Sequence, residues 1–161
     1  QEVDGIRQVQ AAVVVPVGNG ALIAGIGRTL KRRSPATRVV GVVAREAPVM
    51  AWSFEAGHPV ECPLMATFAD GLAVRVAIPE AVAAVNAVAD KMALASEREM
   101  AFAVGAYARA GIRVEGAAAA ALAALPRLSG ITGPVVVVVT GRNIDEELYQ
   151  HAVEHPESLL E

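Results

Sequence analysis

The sequence predicts an α/β fold: a doubly wound, mostly parallel sheet with helices on both faces. Three observations predict it. The runs Ala11-Ala12-Val13-Val14-Val15, Arg38-Val39-Val40-Gly41-Val42-Val43 and Pro134-Val135-Val136-Val137-Val138-Val139 are apolar on consecutive rather than alternate residues, the pattern of strands buried on both faces. Segments with helical spacing or helix-start signals separate them. The first run also passes directly into a glycine turn, Pro16-Val17-Gly18-Asn19-Gly20, and then into a helical period at Leu22, Ile26 and Leu30.

The elements follow in order. Residues 11–15 form the first strand and 21–32 the first helix, which ends in the cations Lys31-Arg32-Arg33, suited to the negative end of a helix dipole. Residues 38–43 form the second buried strand, and 47–56 a short helix. Residues 57–73 are irregular, with His58-Pro59, Cys62-Pro63 and Asp70-Gly71 as turn signals. Pro79 opens a helix to about residue 89 at its first position. Residues 92–94 are a short apolar strand. Ser96-Glu97-Arg98-Glu99 has the form of a capping box and leads a helix to about residue 110. Val114 ends a further short strand, and 116–128 is an alanine-rich helix. Residues 134–139 are the most hydrophobic strand of the chain. Asn143 then reads as an N-cap, with Asp145, Glu146 and Glu147 in the first turn. Residues 2–9 read as the tail of a helix.

Bulk properties narrow the function. The 161 residues suffice for one α/β domain, 1–161, with a packed core. Hydrophobic residues make up 54% and charged residues 19%, which argues against disorder. A net charge of −3 with scattered basic residues argues against nucleic acid as a partner. Apolar stretches such as 116–125 reach only about ten residues, too short to span a bilayer. No membrane partner is expected, and there is no secretory signal. The single cysteine, Cys62, precludes an internal disulfide and a cysteine metal site, and suits a reducing cytoplasm. The chain opens with Gln1, which suggests that a longer chain was cut.

Ligands of parallel sheets bind beyond the carboxyl ends of the strands. The loops Gly18-Asn19-Gly20 and Thr140-Gly141-Arg142-Asn143 follow two of the best strands, and in one sheet they would share an edge. A glycine turn at a helix start is a ready anion cradle, because backbone N–H groups point outward at the positive end. The dinucleotide fingerprint fails, since Gly25 does not follow Gly20 by three residues and Val42-Val43-Ala44-Arg45 carries no acid for a ribose. The Walker pattern is absent as well. Spacing alone leaves the ligand open, and a purely structural turn stays among the readings.

The segment 13–25, Val13-Val14-Val15-Pro16-Val17-Gly18-Asn19-Gly20-Ala21-Leu22-Ile23-Ala24-Gly25, resembles the tetraglycine phosphate loop of pyridoxal-phosphate enzymes of the tryptophan-synthase β type, fold type II, and above all of the threonine/serine dehydratases. The likeness continues in Arg38-Val39-Val40-Gly41-Val42, Thr67-Phe68-Ala69-Asp70-Gly71-Leu72-Ala73-Val74, Arg113-Val114-Glu115-Gly116-Ala117-Ala118-Ala119 and Val139-Thr140-Gly141-Arg142-Asn143-Ile144-Asp145. These blocks keep the family's order and span nearly the whole chain.

The resemblance implies the larger domain of that fold type, as the C-terminal portion of a longer enzyme, with pyridoxal phosphate as cofactor. The backbone N–H groups of Gly18, Asn19, Gly20, Ala21 and Leu22 would hold the phosphate. Thr140 would face the pyridine nitrogen, where the family has Ser or Cys. A neutral hydroxyl there does not hold the nitrogen protonated, which suits elimination of a β-hydroxyl. Gly71 would lie beside the cofactor and Glu115 near its ring. Other readings stand beside these: Thr140 as a turn cap, Asp70-Gly71 as a plain turn, Glu115 as an exposed helix-start acid. His58, His151 and His155 read as solvated.

The implied activity is an ammonia-lyase converting a hydroxy-amino acid to a keto acid plus ammonia. The family's N-terminal half, with the lysine that binds the cofactor covalently and the substrate-carboxylate loop, has no counterpart here. Lys31 and Lys91 read as surface residues, so no catalytic residue is expected in the chain and no activity from it alone. The alternative is a non-catalytic phosphate- or cofactor-binding fragment, or a half-enzyme that pairs with an N-terminal chain. A homodimer is the other expected association. Asn19 and Arg142 replace family glycines. The positions matching the divalent-metal site of many dehydratases and serine racemases are Val43, Ala47 and Val49, so no metal is expected there.

Overall fold

The computed structural model describes residues 11–62 and 66–159. Its centre is a four-stranded sheet in which every pairing is parallel, in the order β3-β2-β1-β4. The strands are β1 (Ala12–Pro16), β2 (Arg38–Ala44), β3 (Lys91–Ala95) and β4 (Val135–Val137). Val14 pairs with Val40 on one side and Val137 on the other, and Val42 pairs with Ala93.

Successive side chains of a strand point to opposite faces, so the valines of β1 and β2 feed two cores. Val13, Val15, Val39 and Val43 join Ile23, Met50, Val82 and Val85 on one face. Those partners come from α1 (Ala21–Arg33), α2 (Val49–Ala56) and α3 (Pro79–Asn86). Val14, Val40 and Val42 join Met100, Val104, Ala118 and Ala152 on the other, supplied by α4 (Glu97–Arg109), α5 (Gly116–Ala123) and α6 (Glu146–Glu154). The fold is therefore the α/β architecture expected, with helices on both faces. In α5, Ala117 to Ala121 are all buried, and their small side chains let the helix lie close to the sheet and to α4.

Several boundaries differ from the sequence reading. The first strand runs one residue further along, to Pro16, and the second reaches Ala44. The third begins at Lys91 and ends at Ala95, anchored by Asp90, whose carboxylate accepts from the Val39 N–H at 2.7 Å. The helix after the second strand starts only at Val49, because Pro48 is its N-cap residue. The helix opened by Pro79 ends at Asn86. The capping box is formed as expected: the Ser96 hydroxyl accepts from the Glu99 N–H, and the Glu99 carboxylate from the Ser96 N–H. Among the described residues of 57–73, the short 3-10 turn Asp70–Leu72 interrupts the irregular chain.

Four expectations are corrected. Val114 ends no strand; it is buried in the core on a connection leading into α5. The alanine-rich helix stops at Ala123 and continues as a 3-10 turn over Leu125–Arg127, since Pro126 lacks the N–H an α-helix needs. Asn143 is not the N-cap of the last helix: Asp145 is, its carboxylate accepting from the Glu147 and Leu148 N–H groups at 2.9 and 3.2 Å. The most hydrophobic strand proves short and lies at the sheet edge, where Val135 and Val136 are 40% and 56% exposed. The helix expected over 2–9 lies outside the described residues.

Candidate functional site

The site lies beyond the carboxyl ends of β1 and β4, neighbours in the sheet. As β1 ends, the Val17 N–H still donates to the Val42 carbonyl at 2.7 Å, so the glycine turn leaves the sheet from a fixed point. Gly20 stands at φ +84 as the N-cap of α1, a conformation open to glycine and costly for other residues. A Cβ on Gly18 would come within 2.7 Å of the Gly71 carbonyl oxygen. The two backbones approach as closely as only glycine permits.

This turn leaves backbone donors that an anion could meet. Among the described residues, no hydrogen-bond acceptor meets the N–H groups of Gly18, Asn19, Gly20, Ala21 or Leu22. Unspent donors at a helix start, added to the helix dipole, attract negative charge. The first turn of α1 carries no acid that would compete, and its last turn holds Lys31, Arg32 and Arg33.

The second wall is Gly71 and Leu72. Their 3-10 turn is closed by the Leu72 N–H on the Ala69 carbonyl at 2.8 Å and by the Gly71 N–H on the Asp70 carboxylate at 2.8 Å. Thr140 and Glu115 form the third wall. Together the walls enclose a cavity of about 320 Å³. Every residue named from the sequence as a cofactor contact thus lines one space: Gly18, Asn19, Gly20, Ala21 and Leu22 on one side, Gly71 and Thr140 on the others. Glu115 does stand at a helix start, as the N-cap of α5, yet it is only partly exposed and lines the cavity.

The other candidates lie elsewhere. Lys31 ion-pairs with Asp90 at 2.7 Å from the last turn of α1, and Lys91 opens β3; both sit at the end of the sheet away from the cavity. Val43, Ala47 and Val49 are buried in or beside the apolar core. His58, His151 and His155 are exposed, and the His151 ring meets the Ser158 hydroxyl at 2.8 Å. Arg142 is exposed and borders a shallow hollow that shares Thr140 with the cavity.

One residue escaped the sequence reading. Glu97 is 2% exposed, and its carboxylate accepts from the Phe68 N–H at 2.9 Å. Its other oxygen has no partner among the described residues. It thereby ties α4 to the segment that carries Gly71. Burial pushes this carboxyl above its ordinary range, against the lowering effect of the Phe68 N–H and the Thr67 hydroxyl; the charge of Glu46 adds to the rise. In the sequence Glu97 looks like any acid in a first helical turn, and nothing there marks it as turned inward. By contrast Glu146, fully exposed, is held below its ordinary range by the Gln150 amide and the Arg113 guanidinium.

The family model described as "Pyridoxal-phosphate dependent enzyme" matches residues 2–141. An L-threonine ammonia-lyase of Geobacter sulfurreducens is 36% identical over 147 residues, covering 89% of this chain and 37% of that protein. Among solved structures, the processed form of threonine deaminase isoform 2 from Solanum lycopersicum superposes with a TM-score of 0.81 at 28% identity, over 91% of this chain and 42% of that one. Maize serine racemase shares the fold, with a TM-score of 0.79 at 24% identity over 94% of this chain and 48% of that one. The chain thus spans about two fifths of the curated relative it matches.

Proposed function

The chain belongs to the pyridoxal-phosphate dependent enzymes, and from that premise we propose that it forms the phosphate and pyridine-nitrogen side of the active site of an ammonia-lyase. The substrate class is a hydroxy-amino acid such as threonine or serine, released as a keto acid plus ammonia. One observation carries the reading: one cavity is lined both by Gly18 to Leu22, with their unspent N–H donors, and by Thr140 in the loop after the neighbouring strand. Its chemistry fits the cofactor, since a doubly charged phosphate needs several fixed donors and a desolvating wall.

The roles follow from position. The N–H groups of Gly18, Asn19, Gly20, Ala21 and Leu22 bind the phosphate, and Gly18 and Gly71 leave room for close backbone approach. Thr140 faces the pyridine nitrogen with a neutral hydroxyl, which orients the ring without fixing a proton on the nitrogen. Bound pyridoxal phosphate supplies an electron-withdrawing ring that eases loss of the substrate's α-proton and β-hydroxyl. Neither Lys31 nor Lys91 reaches the cavity, so the group that anchors the cofactor and takes that proton comes from sequence the relatives carry beyond the matched portion.

A half-enzyme that completes itself with an N-terminal segment is the second form of this reading, and the exposed valines of β4 favour it. An apolar edge strand invites a further strand. A homodimer and a cytoplasmic setting belong to the same proposal.

The protein containing this chain should take up pyridoxal phosphate and lose it in competition with inorganic phosphate. With threonine or serine it should release a keto acid. Failure of both would sink the reading. A co-purifying N-terminal peptide, seen by mass spectrometry after size exclusion, would mark the half-enzyme form.

A further inference from the structure

Glu115 is the single ionisable side chain among the cavity's lining residues. It is the N-cap residue of α5, yet its side chain makes no bond to its own helix. N-cap acids ordinarily accept from the second or third helical N–H. Here Oε2 accepts instead from the Asn143 N–H at 3.0 Å, and the Glu115 N–H donates to the Gly141 carbonyl at 3.1 Å. These bonds hold the loop after β4 on both sides of Arg142, beginning one residue past Thr140. The carboxylate also fills the room a side chain on Gly141 would need: a Cβ there would lie 2.6 Å from Oε1. On the opposite wall, a Cβ on Gly71 would lie 3.8 Å from the same oxygen.

A helix-start carboxylate turned away from its helix and spent on a neighbouring loop calls for a reason. Thr140 is exposed and makes no hydrogen bond of its own among the described residues. Its direction is therefore set by the backbone that carries it, and Glu115 grips that backbone. We propose that Glu115 is a positioning residue, which clasps the 140–143 loop and so aims Thr140 at the ring end of the cavity. The inference rests on the proposed cofactor site and deepens it. Glu115 adds nothing to phosphate binding directly; it acts through Thr140. A carboxylate is suited to this, because a charge-assisted bond to a backbone N–H is stronger than a neutral one.

The test uses the full-length protein with Glu115→Ala, Glu115→Gln, Thr140→Ala and the Glu115→Ala/Thr140→Ala double variant. Two measurements are made: the backbone amide resonances of Gly141 and Asn143 without ligand, and pyridoxal phosphate affinity read from ring fluorescence. Glu115→Ala should move the Asn143 amide and weaken affinity about tenfold, the loss of one charge-assisted hydrogen bond. Glu115→Gln, whose amide oxygen can still accept from Asn143, should recover most of that loss. On the Thr140→Ala background, Glu115→Ala should cost less than about twofold, since coupled residues are not additive. An unmoved Asn143 amide, a Gln variant as weak as the Ala variant, or an undiminished cost on the Thr140→Ala background would each overturn the proposal. If Glu115→Ala does not fold, Glu115→Gln is judged against Thr140→Ala: a Gln variant that loses as much affinity as Thr140→Ala overturns the proposal. If the parent protein takes up no pyridoxal phosphate, the cofactor reading itself has failed, and the amide resonances still report whether the clasp exists.

Discussion

At Gly20 two constraints coincide: a positive φ of 84 and a Cβ position 2.5 Å from Val85 Cγ2. Gly20→Ala should therefore destabilise the protein by about 1–3 kcal/mol through strain and overlap. It should also displace the start of α1 and weaken phosphate binding. Chemical denaturation and phosphate titration on the same variant would check both, and an unchanged denaturation midpoint would contradict the strain argument. Glu97 is the other residue where a local environment dictates behaviour. Burial raises its carboxyl above the ordinary 4.5, so the folded state binds its proton more tightly than the unfolded chain does. The stability this proton linkage contributes is complete below 4.5 and is lost as pH rises through the raised value. Relative to Glu97→Gln, the parent protein should thus lose stability on going from acid to neutral pH, measured by urea unfolding at a series of pH values. A difference independent of pH would show that the carboxyl is not perturbed.

Among the elements, α1 packs against the turn that follows α3 through Gly27, where a Cβ would lie 2.5 Å from Val88 Cβ. Gly27→Ala favours the helix by propensity, yet it should cost about 1–3 kcal/mol by overpacking; a lowered melting temperature would show that packing wins. The cap of α6 gives a separate prediction. Asp145→Ala should cost about 1 kcal/mol, whereas Asn143→Ala should not uncap the helix, because Asn143 contributes only its N–H to the Glu115 carboxylate. Helical content and melting temperature of the two variants would separate the roles. Element boundaries were legible where a local signal is strong and unopposed. The Ser96 capping box and Pro79 at the first helical position are such cases. They were illegible where a distant partner decides: Val114 is apolar like a strand residue but packs as part of a connection, and Asp145 rather than Asn143 points back at the helix.

For the whole molecule, the feature that bears on the proposed assembly is the edge strand β4. Valines that would be core residues in a central strand stand exposed on an edge, Val135 at 40% and Val136 at 56%. Such an edge favours pairing with another chain. In the proposed half-enzyme form Val136→Lys should weaken retention of an N-terminal segment at little cost in stability, since it removes no buried contact; co-elution of that peptide in size exclusion is the measurement, and unchanged retention would show that the edge is not the contact.

The amino-acid sequence by itself determined the fold class, because short valine-rich runs alternate with segments of helical period or helix-start signals, the pattern of a parallel sheet covered by helices. It also determined the anion-seeking turn at Gly18-Asn19-Gly20, because the glycines and the helical period after them are local facts. Tertiary structure alone decided which strand is central and which is an edge, since hydrophobicity measures a residue's preference for burial and not the number of its neighbours. Tertiary structure also decided that Glu97 faces inward and that Glu115 reaches across to Asn143. Both depend on contacts between residues about thirty apart in the chain, where loop closure rather than local pattern sets the geometry. The cavity is the product of both: its lining residues were readable one by one, and the space between them exists only because β1 and β4 lie side by side.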